Sequence, residues 1–259
     1  MNRIELAYNK ARSENRCCFI PFFEVGYPTM DDFSKVMNLL VRYGDIVELG
    51  VPFSDPIADG PIIQHASNIA IKNGITLDRA FEWVANFRRK DKEIPLVFML
   101  YYNLIHHKGA REFFKEAKEV DIDGVIIPDL PLEELDNIYP YKDSISIILL
   151  ASSTTNERRL KLIAEKSEGF IYCVSVKGVT GPRDNISNEG LELVKKVKRF
   201  SGVPVALGFG IKDPEQVKKV SSIVDGIIIG SEIIRIVEDS SIEHLEDYLE
   251  KIIQSTNSK

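Results

Sequence analysis

The sequence predicts an α/β protein in which eight parallel strands and their helices form a closed (β/α)8 TIM barrel. The 259-residue chain alternates short β-branched runs with longer amphipathic stretches, and the number of such runs is eight. Most of the runs, such as SIILLA and GIIIG, are continuously hydrophobic, as strands buried on both faces are. The length matches the roughly 250 residues of a single-domain barrel. We therefore expect one domain over residues 1–259.

The strands are predicted from their β-branched composition and from the turn residues that bound them. They cover residues 17–25, 45–51, 95–101, 124–129, 146–151, 170–176, 203–208 and 226–230. Helices are predicted where apolar residues recur three or four positions apart. They cover residues 31–43, 78–89, 191–200 and Pro214–Val220. An extra amphipathic helix over Arg3–Ser13 precedes the first strand and is expected to cap the bottom of the barrel.

An open, doubly wound sheet is the alternative to a closed barrel. The first strand-to-helix turn lacks a G-x-G-x-x-G fingerprint, which argues against a dinucleotide-binding sheet. Three strand starts, DIVELG, DGVIIPD and DGIIIG, resemble one another. Their spacing is irregular, so they indicate similar strand geometry rather than a tandem repeat.

Composition excludes several function classes. The net charge of -6 argues against binding to nucleic acid or to an anionic membrane. The three cysteines form no Cys-x-x-Cys pair and the four histidines have no metal-type spacing, so we expect no disulfide framework and no metal. The charged N-terminus is not typical of a signal peptide, and no run of about 18 apolar residues suggests a membrane span. These features favour a cytoplasmic protein.

Glu48 lies in a strand that is otherwise apolar except for Asp45 at its start. Side chains alternate along a strand, so Ile46, Glu48 and Gly50 share one face, and the opposite face is uniformly apolar and suits the helices. Glu48 is thus predicted to point into the barrel near its C-terminal mouth. Burial there raises the pKa of a carboxyl group, which suits one that both gives and takes a proton. The alternative is a structural carboxylate paired with a Lys or Arg.

Asp55 and Asp59 lie in the loop of residues 52–61, directly after this strand. Asp-Pro and Asp-Gly are ordinary turn dipeptides, so turn formation alone explains either residue. A loop that leaves the same strand can, however, fold Asp59 back over the mouth, so that two acids face one cavity. Asp59 is therefore the second candidate catalytic acid.

The last three strands end in glycine-rich segments at residues 178–181, 208–210 and 230–231. Barrel phosphate sites are commonly built from the loops after strands seven and eight and a short extra helix, here residues 232–237. Glycines let backbone N–H groups approach the phosphate oxygens, and a helix N-terminus favours the negative charge. The alternative is that these glycines simply end strands. Phe22, Tyr101 and Phe209 stand near strand ends and could line a pocket, although ordinary packing explains each of them.

These features occur together in one known family. The stretch ELGVPFSDPIADGP, residues 48–61, resembles the signature of the tryptophan synthase alpha subunit family, which carries two catalytic acids. Shorter stretches agree with this family in order and spacing over nearly the whole chain. They are FIPFFEVGYP, MLYYNLIHHKG, DLP, GVTG, GFGI and IGSEII.

The resemblance assigns roles to the matching positions. Glu48 matches the proton-transfer residue, and Asp59 matches the residue that accepts a hydrogen bond from the indole N–H. The positions that match the phosphate site are Gly181, Gly210, Gly230 and Ser231. The positions that match the substrate pocket and its closing loop are Phe22, Tyr101, Thr180 and Phe209. The positions that match the face toward a beta subunit are Pro52 and Asp55.

The resemblance implies a lyase of tryptophan biosynthesis that cleaves indole-3-glycerol phosphate to indole and glyceraldehyde 3-phosphate by a retro-aldol reaction. It further implies no metal or cofactor on this chain, and an alpha2beta2 heterotetramer with pyridoxal phosphate only on the beta subunit. Three alternatives remain: a lyase that needs no partner, a regulatory partner with poor catalysis, and another phosphate-sugar enzyme such as an isomerase. Two departures from the family pattern are Glu24, in place of a small hydroxyl residue, and Val176-Lys177, in place of a more polar pair.

Overall fold

The computed structural model describes residues 2–174, 188–208, 210–239 and 242–257. Eight parallel strands pair in sequence order, and β8 pairs with β1 to close the barrel. The strands are β1 (Cys18–Glu24), β2 (Val47–Gly50), β3 (Leu96–Met99), β4 (Gly124–Ile126), β5 (Ser146–Ser152), β6 (Ile171–Val174), β7 (Val205–Gly208) and β8 (Gly226–Ile229). The predicted barrel is therefore confirmed, and the open sheet is wrong.

Helices surround the barrel. They are α1 (Arg3–Ser13), α2 (Met30–Tyr43), α3 (Pro61–Lys72), α4 (Leu77–Arg88), α5 (Tyr102–Lys108), α6 (Ala110–Glu119), α7 (Glu157–Lys166), α8 (Asn188–Lys198), α9 (Pro214–Val220), α10 (Ser231–Asp239) and α11 (Ile242–Ser255). Between β4 and β5 the chain forms 3-10 turns, Leu132–Asn137 and Tyr139–Tyr141. A continuous α-helix cannot run through Pro140, which lacks an N–H group and clashes with the preceding turn. No described helix is long and apolar enough to cross a membrane.

Helix α1 closes the bottom of the barrel, as predicted. Its start is fixed by a capping box in which Asn2 accepts a hydrogen bond from the Glu5 N–H group at 2.9 Å. Its buried face inserts Ile4 and Tyr8 among the inward-facing strand residues, and the Tyr8 ring lies 5.9 Å from that of Phe170. The lower half of the barrel interior is therefore filled with apolar side chains, which leaves the C-terminal mouth for chemistry.

The three strand starts that resemble one another in sequence share one structural device. In each of them an aspartate accepts a hydrogen bond from a backbone N–H group at the start of the neighbouring strand. The pairs are Asp45 with Phe19 (2.8 Å), Asp123 with Leu96 (2.8 Å) and Asp225 with Val205 (2.9 Å). Each aspartate also forms an ion pair with a basic side chain: Asp45 with Arg16, Asp123 with Arg3 and Arg88, and Asp225 with Lys198. The structural carboxylates at the bottom of the barrel are thus paired.

The register of β1 against β2 brings the inward-facing acids together. Phe22 is the Cα partner of Glu48, and Glu24 is the Cα partner of Gly50. Glu24 and Gly50 are the last residues of their strands, Phe22 and Glu48 stand two residues before them, and both strands are fully buried along their length. Two carboxyl groups therefore enter the same end of the barrel from adjacent strands.

Candidate active site

Glu48 points into the barrel, and no described residue forms an ion pair or a hydrogen bond with its carboxyl group. Its side chain is 0% exposed, and neither carboxyl oxygen has a hydrogen-bond partner among the described residues. Burial, together with the nearby charge of Asp59, raises the pKa of Glu48 to about 8. A buried carboxyl group that lacks partners costs stability, so it is usually retained for a function. Asp45, by contrast, is paired with Arg16. The described structure therefore does not support the alternative that Glu48 belongs to a structural ion pair.

Asp59 is held at the mouth by the loop that follows β2. Its Oδ2 atom accepts a hydrogen bond of 2.8 Å from the Tyr101 hydroxyl, and Gln64 Nε2 donates to its backbone carbonyl at 2.8 Å. The Oδ1 atom is buried and has no partner in the described part of the chain. Burial raises the pKa of Asp59 to about 6, although the Tyr101 hydrogen bond opposes this shift. The loop therefore folds back over the mouth, which turn chemistry alone would not require.

The two acids differ in their protonation state near neutral pH. The higher pKa of Glu48, about 8, favours a protonated carboxyl group, whereas the pKa of Asp59, about 6, favours a carboxylate. Pairs of acids whose environments separate their pKa values commonly divide into a proton donor and an electrostatic stabiliser. This site therefore offers one group that gives a proton and one negative charge beside it.

Tyr101 organises the loop as well as lining the mouth. Its hydroxyl oxygen accepts a hydrogen bond from the Ala58 N–H group at 2.9 Å while the hydroxyl donates to Asp59. Its ring stacks on Phe53, with 5.1 Å between the centroids. Tyr101 thus connects the beginning of the loop to its end and orients the Asp59 carboxylate.

Phe22 spans the space between the acid-bearing strand and the end of β8. A β-carbon on Gly230 would lie 2.7 Å from Phe22 Cδ1, and one on Gly50 would lie 2.6 Å from Phe22 Cζ. Both contacts are shorter than real Cβ contacts, so a side chain at either position would displace the Phe22 ring. The Phe22 ring therefore lies between Gly50 at the end of β2 and Gly230 at the end of β8.

The candidate phosphate residues Gly230 and Ser231 lie where β8 passes into α10. The Ile234 N–H group donates to the Gly230 carbonyl at 3.0 Å, which makes Gly230 the residue before the first helical turn. The N–H groups of that turn carry partial positive charge and suit an anion. Gly210 follows the adjacent β7 and has φ +86°, a conformation that favours glycine. Gly181, Thr180 and Phe209 lie outside the described residues.

Tyr172 belongs to this site but was missed by the sequence reasoning. It lies on β6, and burial and the charges of Glu48 and Asp59 raise its pKa well above the usual range. A β-carbon on Gly208 would overlap its ring, so that glycine makes room for it. A polar aromatic residue at the inward-facing parity of a buried strand was the signal that could have identified it.

Glu24 is a third carboxyl group at the mouth. It is 3% exposed, and burial and the charge of Asp59 raise its pKa to about 8, while a hydrogen bond from Ser67 lowers it. Its carboxyl group fills the space beside Gly50, where a β-carbon would overlap Oε2. The described residues contain no group of three or more His, Cys, Asp or Glu side chains arranged to hold a metal ion.

Comparisons with known proteins point to one family. The family model described as tryptophan synthase alpha chain matches residues 8–258. The tryptophan synthase alpha chain of Methanocaldococcus jannaschii is 41% identical over 242 residues, which cover 93% of this chain and 85% of the relative. That of Caldicellulosiruptor bescii is 40% identical over 260 residues and the full length of both chains. The crystal structure of the alpha subunit from Legionella pneumophila superposes with a TM-score of 0.91 at 31% identity over 100% of both chains.

Proposed function

Because the chain belongs to the tryptophan synthase alpha chain family, we propose that Glu48 and Asp59 carry the chemistry of that family's reaction. The reaction is the cleavage of indole-3-glycerol phosphate to indole and glyceraldehyde 3-phosphate, so the chain is a lyase of tryptophan biosynthesis. The observation that supports the assignment is the pair of buried carboxyl groups whose free oxygens have no hydrogen-bond partner among the described residues.

In this proposal Glu48 moves one proton in each direction. The neutral Glu48 carboxyl group protonates C3 of the indole, and the resulting positive charge at N1 is stabilised by the Asp59 carboxylate. The Glu48 carboxylate then accepts the proton of the glycerol hydroxyl while the carbon–carbon bond to C3 breaks. The bond electrons return to the ring to give indole, and the hydroxyl carbon becomes the aldehyde of glyceraldehyde 3-phosphate. Glu48 ends protonated, ready for another turnover.

The phosphate group is proposed to bind at the ends of β7 and β8 through backbone donors of Gly210, Gly230 and Ser231, with Gly181 in the sixth loop. Phe22, Tyr101, Thr180 and Phe209 would line the space between this anchor and the acids. Binding energy at the phosphate is remote from the bond that breaks, so it can be used to orient the indole against Glu48. No metal or organic cofactor is required by these steps, and pyridoxal phosphate is proposed only on the beta subunit.

Substitutions of Ser231 distinguish phosphate binding by its backbone N–H group from binding by its side chain. Proline is tolerated in the first turn of a helix but removes one N–H donor, so Ser231→Pro is expected to raise the KM for indole-3-glycerol phosphate. The loss of one hydrogen bond to a charged group predicts an increase of about 10- to 100-fold. Ser231→Ala keeps the N–H group and should change KM much less.

Titration with inorganic phosphate checks the same loss without catalysis. Unchanged phosphate affinity in Ser231→Pro would remove this helix start from the site. The proline variant is a cleaner test than Gly210→Val, because a β-branched residue at φ +86° would strain the backbone as well.

The beta subunit is proposed to bind over the loop of residues 52–61 in an alpha2beta2 assembly in the cytoplasm. Of the two positions that the family resemblance assigns to this face, Asp55 is exposed and Pro52 is buried. Ile57, in the same loop, is 78% exposed and offers apolar surface to a partner. Because this loop carries Asp59, a bound partner would restrict the motion of a catalytic group. Residues 1–259 are proposed to act as one domain.

An indole-release assay with and without beta subunit tests the partnership. We expect measurable turnover by this chain alone and faster turnover with the beta subunit. Ile57→Asp should weaken the stimulation, because a new charge would be buried against the partner. Leu162→Asp is the matched control, since Leu162 is 39% exposed on α7 and lies outside this loop. Full activity without any stimulation would support a stand-alone lyase, and negligible activity in both assays would support a regulatory role.

A further inference from the structure

Helix α3 begins directly after the loop that carries Asp59, and two of its polar side chains bind back to that loop. Gln64 and Ser67 are three residues apart, so they lie on the same side of the helix. Ser67 is 3% exposed and is the polar member of a buried helix face. The other buried residues of this face are Ile63, Ala66 and Ala70. A buried hydroxyl group needs hydrogen-bond partners, and the loop supplies those of Ser67.

Ser67 holds the first part of the loop. Its Oγ atom accepts a hydrogen bond from the Phe53 N–H group at 2.9 Å and donates to the Phe53 carbonyl at 3.1 Å. A hydroxyl group has one proton and two acceptor sites, so one side chain can make both contacts at once. These two contacts restrain the peptide groups on both sides of Phe53, whose ring stacks on Tyr101 with 5.1 Å between the centroids. Because the Tyr101 hydroxyl donates to Asp59 Oδ2 at 2.8 Å, the restraint reaches the carboxylate.

Gln64 holds the last part of the loop. Its Nε2 atom donates a hydrogen bond of 2.8 Å to the backbone carbonyl of Asp59. Polar side chains at a helix start commonly accept hydrogen bonds from the first N–H groups, whereas this amide donates to a residue that precedes the helix. Asp59 is therefore restrained twice, at its carbonyl by Gln64 and at its carboxylate by Tyr101.

We propose that Gln64 and Ser67, together the α3 clamp, are positioning residues that hold both ends of the loop and thereby orient the Asp59 carboxylate toward the indole N–H group. This role rests on the proposed function of Asp59. A packed helix holds a group more precisely than a loop does, and the clamp transfers that precision to a loop residue. It acts on the acid and leaves the proposed phosphate anchor unchanged.

The test measures kcat for indole release in Gln64→Met, Ser67→Ala and Ser67→Thr. Methionine has a similar length but no donor, so Gln64→Met should lower kcat by about 3- to 10-fold, the effect of one hydrogen bond. Ser67→Ala removes two contacts and should lower kcat by about 10-fold or more. Ser67→Thr keeps the hydroxyl group and should retain most of the activity. Asn68→Ala is the matched control, because Asn68 is exposed on the same helix, and it should match the wild type.

Binding measurements distinguish positioning of Asp59 from general damage to the fold. The affinity for inorganic phosphate should be unchanged in every variant, because the proposed anchor lies on α10. A double-mutant cycle with Asp59→Ala gives the second distinction. Without the carboxylate the clamp has nothing to orient, so Gln64→Met/Asp59→Ala and Ser67→Ala/Asp59→Ala should be no slower than Asp59→Ala alone in single-turnover measurements.

Two results would overturn the α3 clamp. One is wild-type kcat in both Gln64→Met and Ser67→Ala, and the other is a loss of the same size with and without the Asp59 side chain. The cycle also separates this inference from the proposed function. Wild-type activity of Asp59→Ala would refute the role of Asp59 itself. A strongly impaired Asp59→Ala beside fully active Gln64→Met and Ser67→Ala would refute only the clamp.

Discussion

Glu48→Gln is expected to abolish most of the indole release from indole-3-glycerol phosphate. Glutamine keeps the size of the side chain but has no proton to exchange at either the C3 step or the hydroxyl step. General acid–base catalysis contributes about 10²–10⁴-fold, and one residue serves both transfers here, so kcat should fall by at least that factor. KM should change little, because the substitution leaves the proposed phosphate anchor at Gly230 and Ser231 unaltered. Steady-state and single-turnover measurements of indole check this result.

The pH dependence of the stability of Glu48→Gln is a control that does not depend on catalysis. The pKa of Glu48 is about 8 in the fold against an ordinary value of 4.5, so the folded state holds a proton that the unfolded chain releases between these pH values. The stability that the neutral group contributes is therefore lost as the pH rises from about 4.5 through about 8. Glutamine does not titrate, so Glu48→Gln should be more stable than the wild type at pH 8, by an amount on the order of 4 kcal/mol, and should differ less at pH 5.

Thermal unfolding at the two pH values checks this control. An inactive enzyme that is more stable than the wild type is the expected signature of a group kept for chemistry at the expense of stability. Turnover near the wild-type rate in Glu48→Gln would contradict the mechanism, whatever the family membership.

Much of the fold could be predicted because its signals are local. Strand parity and β-branched composition located all eight strands, and helices Arg3–Ser13 and Pro214–Val220 have the predicted bounds. Helices α3, α5, α6, α7 and α11 were not predicted; α5 and α6 are joined only by Gly109, whose φ of +87° ends one and precedes the other. The 3-10 turns around Pro140 are too short to give a periodic pattern.

The placement of Glu48 and Asp59 at one mouth of the barrel could be predicted, because one strand and its own loop supply both residues. The predicted set of site residues was incomplete where residues from distant strands meet. Tyr101 was predicted as pocket lining, yet its hydroxyl binds Asp59 across 42 residues of sequence. Tyr172 on β6 and the position of Glu24 beside Gly50 depend on the register and closure of the barrel, which no local pattern encodes.

The Tyr101 hydroxyl provides a first test of how Asp59 works. Its hydrogen bond lowers the pKa of Asp59, against burial, to a final value of about 6. Tyr101→Phe removes that bond, so the pKa of Asp59 should rise and the acid side of the pH–rate profile should move to higher pH. The ring and its stacking on Phe53 are retained, so the pocket should keep its shape. A profile with an unchanged acid side would mean that the Asp59 carboxylate is not the group that must be ionised.

Asp59→Asn is expected to reduce kcat by about 10²–10³-fold, because the positive charge that develops at N1 loses its anionic partner in a buried site. Asparagine still accepts a hydrogen bond from N1, so the loss measures the charge and not the contact. An indoline-based analogue with a tetrahedral C3 resembles the intermediate, and the wild type should bind it more tightly than substrate. Asp59→Asn should lose much of that additional affinity, whereas Glu48→Gln should keep most of it, since in the proposed mechanism Glu48 transfers protons and Asp59 stabilises charge. Asp59→Glu retains the charge on a longer arm and should keep a trace of activity. Equal analogue affinity in the wild type and Asp59→Asn would show that the two acids do not divide their roles in this way.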